Sequence, residues 1–243
     1  MLIVNADDWG RSQLETDAAL SCYKMGRVSS VSAMVFMADS QRAADLAVAA
    51  GIDVGLHLNL SQRFTTEIHD ALLQQYHDAI VRFLTRGKYA LLLYNPMLRR
   101  QFRHVYQAQM DEFRRIYGKN PSHVDGHQHM HLCSNMLIDS IIPKGEKVRR
   151  SFSFQRGEKS VANRAYRKLV DCLLARNHRL TDYFFSLSKQ RTGERLSRVF
   201  QLARDHNVEL MTHPAKPDEC SLLQSDGYSA LLGTTPVGSY SIL

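Results

Sequence analysis

With 243 residues, 44% of them hydrophobic, the chain can bury a full core and falls within the range of one large α/β domain. A formal charge of +7 would suit an anionic partner, but without a zinc-finger or RNP-type motif no nucleic-acid partner is expected. Four cysteines, Cys22, Cys133, Cys172 and Cys220, form no CxxC pair, which argues against a disulfide framework or a cysteine zinc site and for a reducing cytoplasm.

Leu2 to Ala6 opens the chain as a β-type run, with no signal-peptide pattern and no apolar segment long enough to span a membrane. A helix is predicted around Gln13 to Met25, where Leu14, Ala18, Cys22 and Met25 recur at helical spacing. Ser32 to Phe36 reads as a strand and Ser40 to Ala50 as a helix closed by Gly51. Val54 to Leu58 is the next strand, followed by helical stretches at Glu67 to Arg86 and Pro96 to Tyr117. Gly118-Lys119-Asn120-Pro121 breaks the second of these before a strand at Ser122 to Asp125. Beyond it come a helix at Asn135 to Ile142, a strand at Glu146 to Arg150, helices at Ala162 to Arg176 and Gly193 to His206, and a last strand at Val208 to Met211. The βα alternation predicts a parallel sheet with covering helices, and no linker divides residues 1–243, so a single domain is expected.

Polar clusters stand at the ends of four of these strands: Asn5-Ala6-Asp7-Asp8-Trp9-Gly10, Gly55-Leu56-His57-Leu58, Asp125-Gly126-His127-Gln128-His129-Met130-His131, and Met211-Thr212-His213-Pro214. Functional residues of parallel sheets gather at the carboxyl ends of strands. There, Asp8, His57 and His127 can supply one carboxylate and two imidazoles to a divalent ion and leave positions open for water and substrate. Such an ion lowers the pKa of water and polarises a carbonyl oxygen. Asp7 is then free to accept a proton from the attacking water, and His213 can protonate a leaving group.

Each cluster alone also has a plainer explanation. Paired aspartates commonly open a helix or a turn. A lone His57 in an apolar strand is more often a core histidine than a ligand. In a β-strand His123, His127, His129 and His131 would all face one side, and such tracts bind metal loosely. The joint occurrence, each cluster at its own strand end, favours a shared metal site.

Taken in order, these motifs resemble the YdjC/ChbG-type carbohydrate deacetylases, which include the chitooligosaccharide deacetylases. The similarity runs over nearly the whole chain. It implies an irregular TIM-like (β/α) barrel that removes acetyl groups from N-acetylated sugars with one divalent metal ion. By the same likeness Asp8, His57 and His127 hold the metal, Asp7 is the general base, His213 the general acid, and His129 lines the site. Two departures stand out: Trp9 replaces the usual phenylalanine, and Asp125-Gly126-His127-Gln128-His129 replaces aspartate-serine-histidine-histidine-histidine. Trp9 is a candidate for stacking on a sugar face. Zn2+ and Mg2+ both suit the donor set.

The stretch from Lys144 to Arg191 is rich in lysine and arginine, with aromatics such as Phe152, Phe154 and Phe184 among them. A solvated helix face is its default explanation; the functional one is guidance of an anionic or lipid-linked sugar, or contact with an acidic membrane surface. A homodimer is compatible with the sequence. Two alternatives to deacetylation stay open at this point: a metal-dependent phosphoesterase, and a basic nucleic-acid or membrane-surface binding protein with a structural metal.

Overall fold

All of Leu2–Trp9 is buried, the pattern of a strand covered on both faces. This strand, β1, lies inside a parallel sheet. The computed structural model describes residues 1–87, 89–154, 158–190 and 193–243; Arg156 and Arg191 of the basic segment lie outside them. After β1 the chain forms α1 (Gln13–Lys24), β2 (Ser30–Ala33), α2 (Ser40–Ala50), β3 (Val54–Leu58), α3 (Ala71–Thr85), α4 (Arg99–Tyr117), β4 (Val124–Gly126) and α5 (Ser134–Ile138). Then follow α6 (Val161–Ala175), β5 (Tyr183–Ser186), α7 (Gly193–Asp205), β6 (Val208–Thr212), α8 (Pro217–Gln224), α9 (Asp226–Leu232) and the short β7 (Val237–Gly238).

The strands run in the order β4-β3-β2-β1-β6-β5, and every pair is parallel. β7 pairs with Leu2 and Ile3 on the side of β1 that β2 occupies from Asn5 onward. The sheet curls far enough for one irregular segment to touch both of its edges. Val124 N donates to Lys147 O (2.8 Å) and Arg149 N to Val124 O (3.1 Å) on the β4 side, while Ser153 N donates to Phe184 O (2.8 Å) on the β5 side. The result is an α/β fold with a curled parallel sheet, a half-barrel consistent with the expected TIM-like architecture, its open side spanned by irregular chain.

Several expected boundaries move for local reasons. The helix expected from Glu67 begins at Ala71, because the Asp70 carboxylate caps it by accepting from Leu72 N and Leu73 N. Pro96 opens a 3-10 turn, Pro96–Leu98, before α4 proper. The helix expected to Ile142 stops at Ile138, just before Ser140 takes a left-handed φ of 48°. Glu146 to Arg150 makes only the single bridges Val124↔Val148 and Lys147↔Arg179 instead of a ladder. Tyr183–Ser186, read from sequence only as aromatics within the basic stretch, is the edge strand β5. Among the described residues no helix is long and apolar enough to cross a membrane.

Candidate active site

Consecutive side chains of a regular strand point to opposite faces, so Asp7 and Asp8 would diverge if β1 stayed regular. It does not: the pairing of β1 with β2 shifts register between Ala6 and Trp9, and Asp8 has a φ of 67°. A bulge of this kind re-aims side chains at a strand end, and both carboxylates face one cavity of about 190 Å³ that His213 and Lys216 also line. The same irregularity turns Trp9 the other way. Its side chain is fully buried in the core and donates Nε1–H to Ala43 O at 3.1 Å, so it offers no face to a sugar, contrary to the stacking role considered from sequence.

Three strand ends deliver the metal-type donors. Asp8 Oδ1 is 2.9 Å from His127 Nδ1 and 3.4 Å from His57 Nε2, and one donor atom from each residue lies within 4.8 Å of the others. His57 sits in β3, next to its last residue, and His127 directly follows β4. The donors fit a divalent ion chemically: one carboxylate and two imidazoles on separate elements, with coordination positions left over. His57 is further oriented from behind, since its Nδ1 is 2.8 Å from Asp125 Oδ1. This is the carboxylate–histidine arrangement that fixes which ring nitrogen faces a metal. Burial pushes the His57 imidazole down, but Asp125 and Asp7 outweigh it and raise its pKa to about 10. Burial likewise raises Asp8, and the hydrogen bonds from His127 and His57 overcome it, holding the carboxyl well below the usual range.

Behind the donors lies a buried charge cluster that sequence reasoning missed. Arg149, counted from sequence within the basic excess, is fully buried. Its two terminal nitrogens reach Asp7 at 2.8 and 2.7 Å, one of them Asp125 at 2.5 Å, and its Nε reaches Glu209 at 2.8 Å. Three carboxylates thus share one guanidinium. Desolvation pushes the Glu209 pKa up to about 7 against the pull of Arg149, while Tyr240 Oη donates to it at 2.5 Å. Asn5 Nδ2 adds a 2.9 Å bond to Asp7. The isolated βα reading carried no signal that could separate Arg149 from its basic neighbours.

The histidine tract is not a strand. Gln128 and His129 adopt left-handed φ of 52° and 60° within a tight turn, His127–Leu132, which ends the alternation that would have aimed all four histidines one way. His123 stacks on Tyr240 at 3.7 Å and His131 Nε2 donates to Arg149 O at 3.0 Å. His129 lies edge-on to Phe152 at 4.5 Å and to Phe184 at 5.8 Å. Across the cavity, His213 is half-buried and is held by Glu219 of α8. That carboxylate accepts from His213 N at 2.8 Å and from Thr212 Oγ1 at 3.0 Å, and lies 3.6 Å from His213 Nδ1. Burial raises the Glu219 carboxyl, and its bonds to His213 bring it below the ordinary value. The sixth-residue spacing from His213 to Glu219 is the only sequence trace of this pairing.

Fold and site together define a class: a parallel α/β protein with a two-histidine, one-aspartate donor set at the carboxyl ends of its strands. A model of the YdjC-like protein family matches residues 1–235, and the chain belongs to that family. A Mus musculus protein named carbohydrate deacetylase is 34% identical over 134 residues, which cover 54% of this chain and 43% of that protein. The chitooligosaccharide deacetylase of Serratia marcescens is 32% identical over 133 residues, 54% of this chain and 51% of that protein. These matches span about half the length of the relatives or less. The Yersinia enterocolitica chitooligosaccharide deacetylase is 25% identical over 240 residues, 94% of this chain and 86% of its own. In fold, the chain resembles an Enterococcus faecalis V583 protein provisionally assigned to cellobiose-phosphate cleavage, with a TM-score of 0.70, 17% identity, and 99% and 97% of the two chains covered.

Proposed function

We propose that this chain is a metal-dependent hydrolase that removes an acetyl group from an N-acetylated sugar. The observation that carries the reading is the placement of Asp7 and His213 on one cavity with the donor Asp8, backed by His57 and His127. Membership in the YdjC-like family and relatives named carbohydrate and chitooligosaccharide deacetylases support the substrate class.

Asp8, His57 and His127 would hold a divalent ion, zinc or magnesium, which when bound supplies a Lewis acid for the acetyl carbonyl and acidifies water. The protein's own part is positioning and proton movement. Arg149 and Asn5 hold the Asp7 carboxylate at the cavity, and each carboxylate oxygen has further lone-pair capacity with which to accept a proton from the attacking water. Asp125 fixes the His57 ring so that Nε2 faces Asp8. His213, braced by Glu219, delivers a proton to the departing amine nitrogen as the C–N bond breaks. The products are acetate and an amino sugar.

Acetate release from a panel of N-acetylated mono- and oligosaccharides, with zinc, magnesium, manganese and cobalt each added back to chelator-treated protein, tests the proposal. Release that depends on an added metal is the expected outcome. Phosphate release from sugar phosphates without any acetate would overturn it.

A further inference from the structure

α6 buries one apolar face and exposes another. Val170 and Leu174 are in the core, whereas Ala162, Tyr166, Leu169 and Leu173, spaced four, three and four residues apart, make a stripe along a different side of the helix. All four are exposed, Leu169 by 59%, and Val161 at the start of the helix is 81% exposed. Exposure of that size means that no described part of the chain packs over the stripe.

The charges on the same helix have one sign toward solvent. Arg164 and Lys168, and Arg176 at its end, are exposed, and among the described residues none of the three has an ion-pair partner. Asp171, the one acid of α6, is turned inward, where it pairs with Arg150 at 2.8 Å and accepts from Ser151 N at 2.8 Å. What α6 presents to solvent is therefore apolar and basic, without an acid.

The surface continues beyond the helix. Met136 and Leu137 of α5 line one small cavity with Leu173 and Leu174 of α6, and the next residue, Ile138, is 62% exposed. Asn135 of α5 in turn holds the segment ahead of α4: Asn95 N donates to Asn135 Oδ1 at 3.1 Å and Asn135 Nδ2 to Asn95 O at 2.8 Å. On that segment Met97 is 81% exposed, and from Arg86 to Arg103 the chain has no acidic residue at all. An apolar, acid-free surface with basic flanks thus runs from α6 across α5.

We propose that this face docks on a lipid bilayer bearing anionic headgroups, with α6 lying in the interface, Tyr166, Leu169 and Leu173 toward the acyl chains and Arg164, Lys168 and Arg176 among the headgroups. Helices that bind in this way combine an apolar face with lysine and arginine on the polar one, and tyrosine suits the boundary between water and lipid. Charge complementarity selects this occupant. A two-fold pairing with a second copy would set the three basic residues of one α6 against the same three of the other, and like charges brought together disfavour association. The His127–Leu132 turn leads directly into α5, so the docked chain keeps its candidate site next to the headgroup layer. Docking is independent of the deacetylase reading, since it requires no turnover.

Co-sedimentation of the full chain with vesicles tests the proposal. Vesicles of phosphatidylcholine alone would be compared with a roughly 2:1 mixture of phosphatidylcholine and phosphatidylglycerol, and the mixture should bind at least about tenfold more tightly. The advantage should shrink as salt rises from roughly 0.05 to 0.3 M. Arg164→Gln with Lys168→Gln should weaken binding to the mixture about tenfold, each basic residue near an anionic surface being worth roughly a factor of five. Leu169→Gln with Leu173→Gln should also weaken it about tenfold, by removing buried apolar area, and unchanged far-ultraviolet circular dichroism would show that both variants fold. Lys24→Gln with Arg82→Gln, which removes exposed charges of α1 and α3, should change binding less than about twofold. Absence of vesicle binding, or equal losses in the control and the α6 variants, would overturn the proposal. So would a dimer in sedimentation velocity that binds no vesicles and dissociates in the leucine variant, since the face would then be a subunit interface.

Discussion

Arg149 grips Asp7 with two parallel hydrogen bonds, Nη1 to Oδ2 at 2.8 Å and Nη2 to Oδ1 at 2.7 Å, and both side chains are buried. The same guanidinium lies 2.5 Å from Asp125, the residue that orients His57. One buried cation thus sets the position of the proposed base and, through Asp125, of a proposed metal ligand.

Removing that cation leaves Asp7, Asp125 and Glu209 buried beside one another without the guanidinium they share. Breaking a buried ion pair from one side costs about 3–5 kcal/mol, so Arg149→Met should lower the unfolding free energy in urea by about that much. Arg149→Lys keeps the charge but not the planar fork; it should fold better than the methionine variant and still release acetate at least about tenfold more slowly than the unaltered chain. A methionine variant as stable as the parent would contradict the cluster's assigned role.

Asp7 and Asp125 should separate chemistry from metal affinity. Asp7→Asn removes the proposed proton acceptor but no proposed ligand, so acetate release should fall about 100-fold or more while metal binding is retained. Asp125→Asn should do the reverse first, weakening metal binding about 10- to 100-fold because the His57 ring loses the carboxylate that orients it. Competition against a chromophoric chelator measures both variants; near-parental acetate release by Asp7→Asn would remove the base from the mechanism.

Gly55 is tested by packing. A Cβ there would meet the His123 ring at 2.2 Å, and that ring is already stacked on Tyr240. Gly55→Ala should therefore destabilise the fold by about 1–3 kcal/mol as an overpacked core position, visible as a lower thermal midpoint. An unchanged midpoint would mean that the His123–Tyr240 stack can move aside.

His77, outside the Arg149 charge cluster, gives a separate pH signature. Burial lowers its pKa from 6.5 to about 4, although it bonds to Asn59 O and stacks on Phe64 at 3.7 Å. The unfolded chain then takes up a proton before the folded one does. Stability from this residue is fully present above pH 6.5 and is lost as pH falls toward about 4, a contribution of up to about 3 kcal/mol. Urea midpoints for the unaltered chain and His77→Gln across that range should show a shallower acid-side loss in the variant; identical slopes would refute the assignment.

Much of the frame is legible without coordinates because it rests on local periodicity. β1, α1, α2, β3 and β6 fall close to where apolar spacing and glycine punctuation place them, and Gly51 does close α2 with a φ of 65°. Periodicity fails where the backbone turns left-handed, at Asp8, Gln128, His129 and Ser140, since the energy that holds a non-glycine residue there comes from contacts made elsewhere in the chain. The Glu146 to Arg150 strand fails for a related reason: its apolar pattern is right, but its neighbours offer only single bridges.

By itself, the amino-acid sequence determined which chemically able residues stand at the strand ends: Asp7, Asp8, His57, His127 and His213. Strand alternation and βα order are properties of neighbouring residues, and they suffice to put those groups on one edge of a sheet. Only the tertiary structure decided that Trp9 belongs to the core, that Glu219 braces His213, and that Arg149 is a buried counter-ion instead of one more surface charge. Arg149 meets Asp7 across 142 positions of chain. Whether a charge is solvated or buried depends on partners brought together by folding, and nothing within a few residues of Arg149 records that meeting.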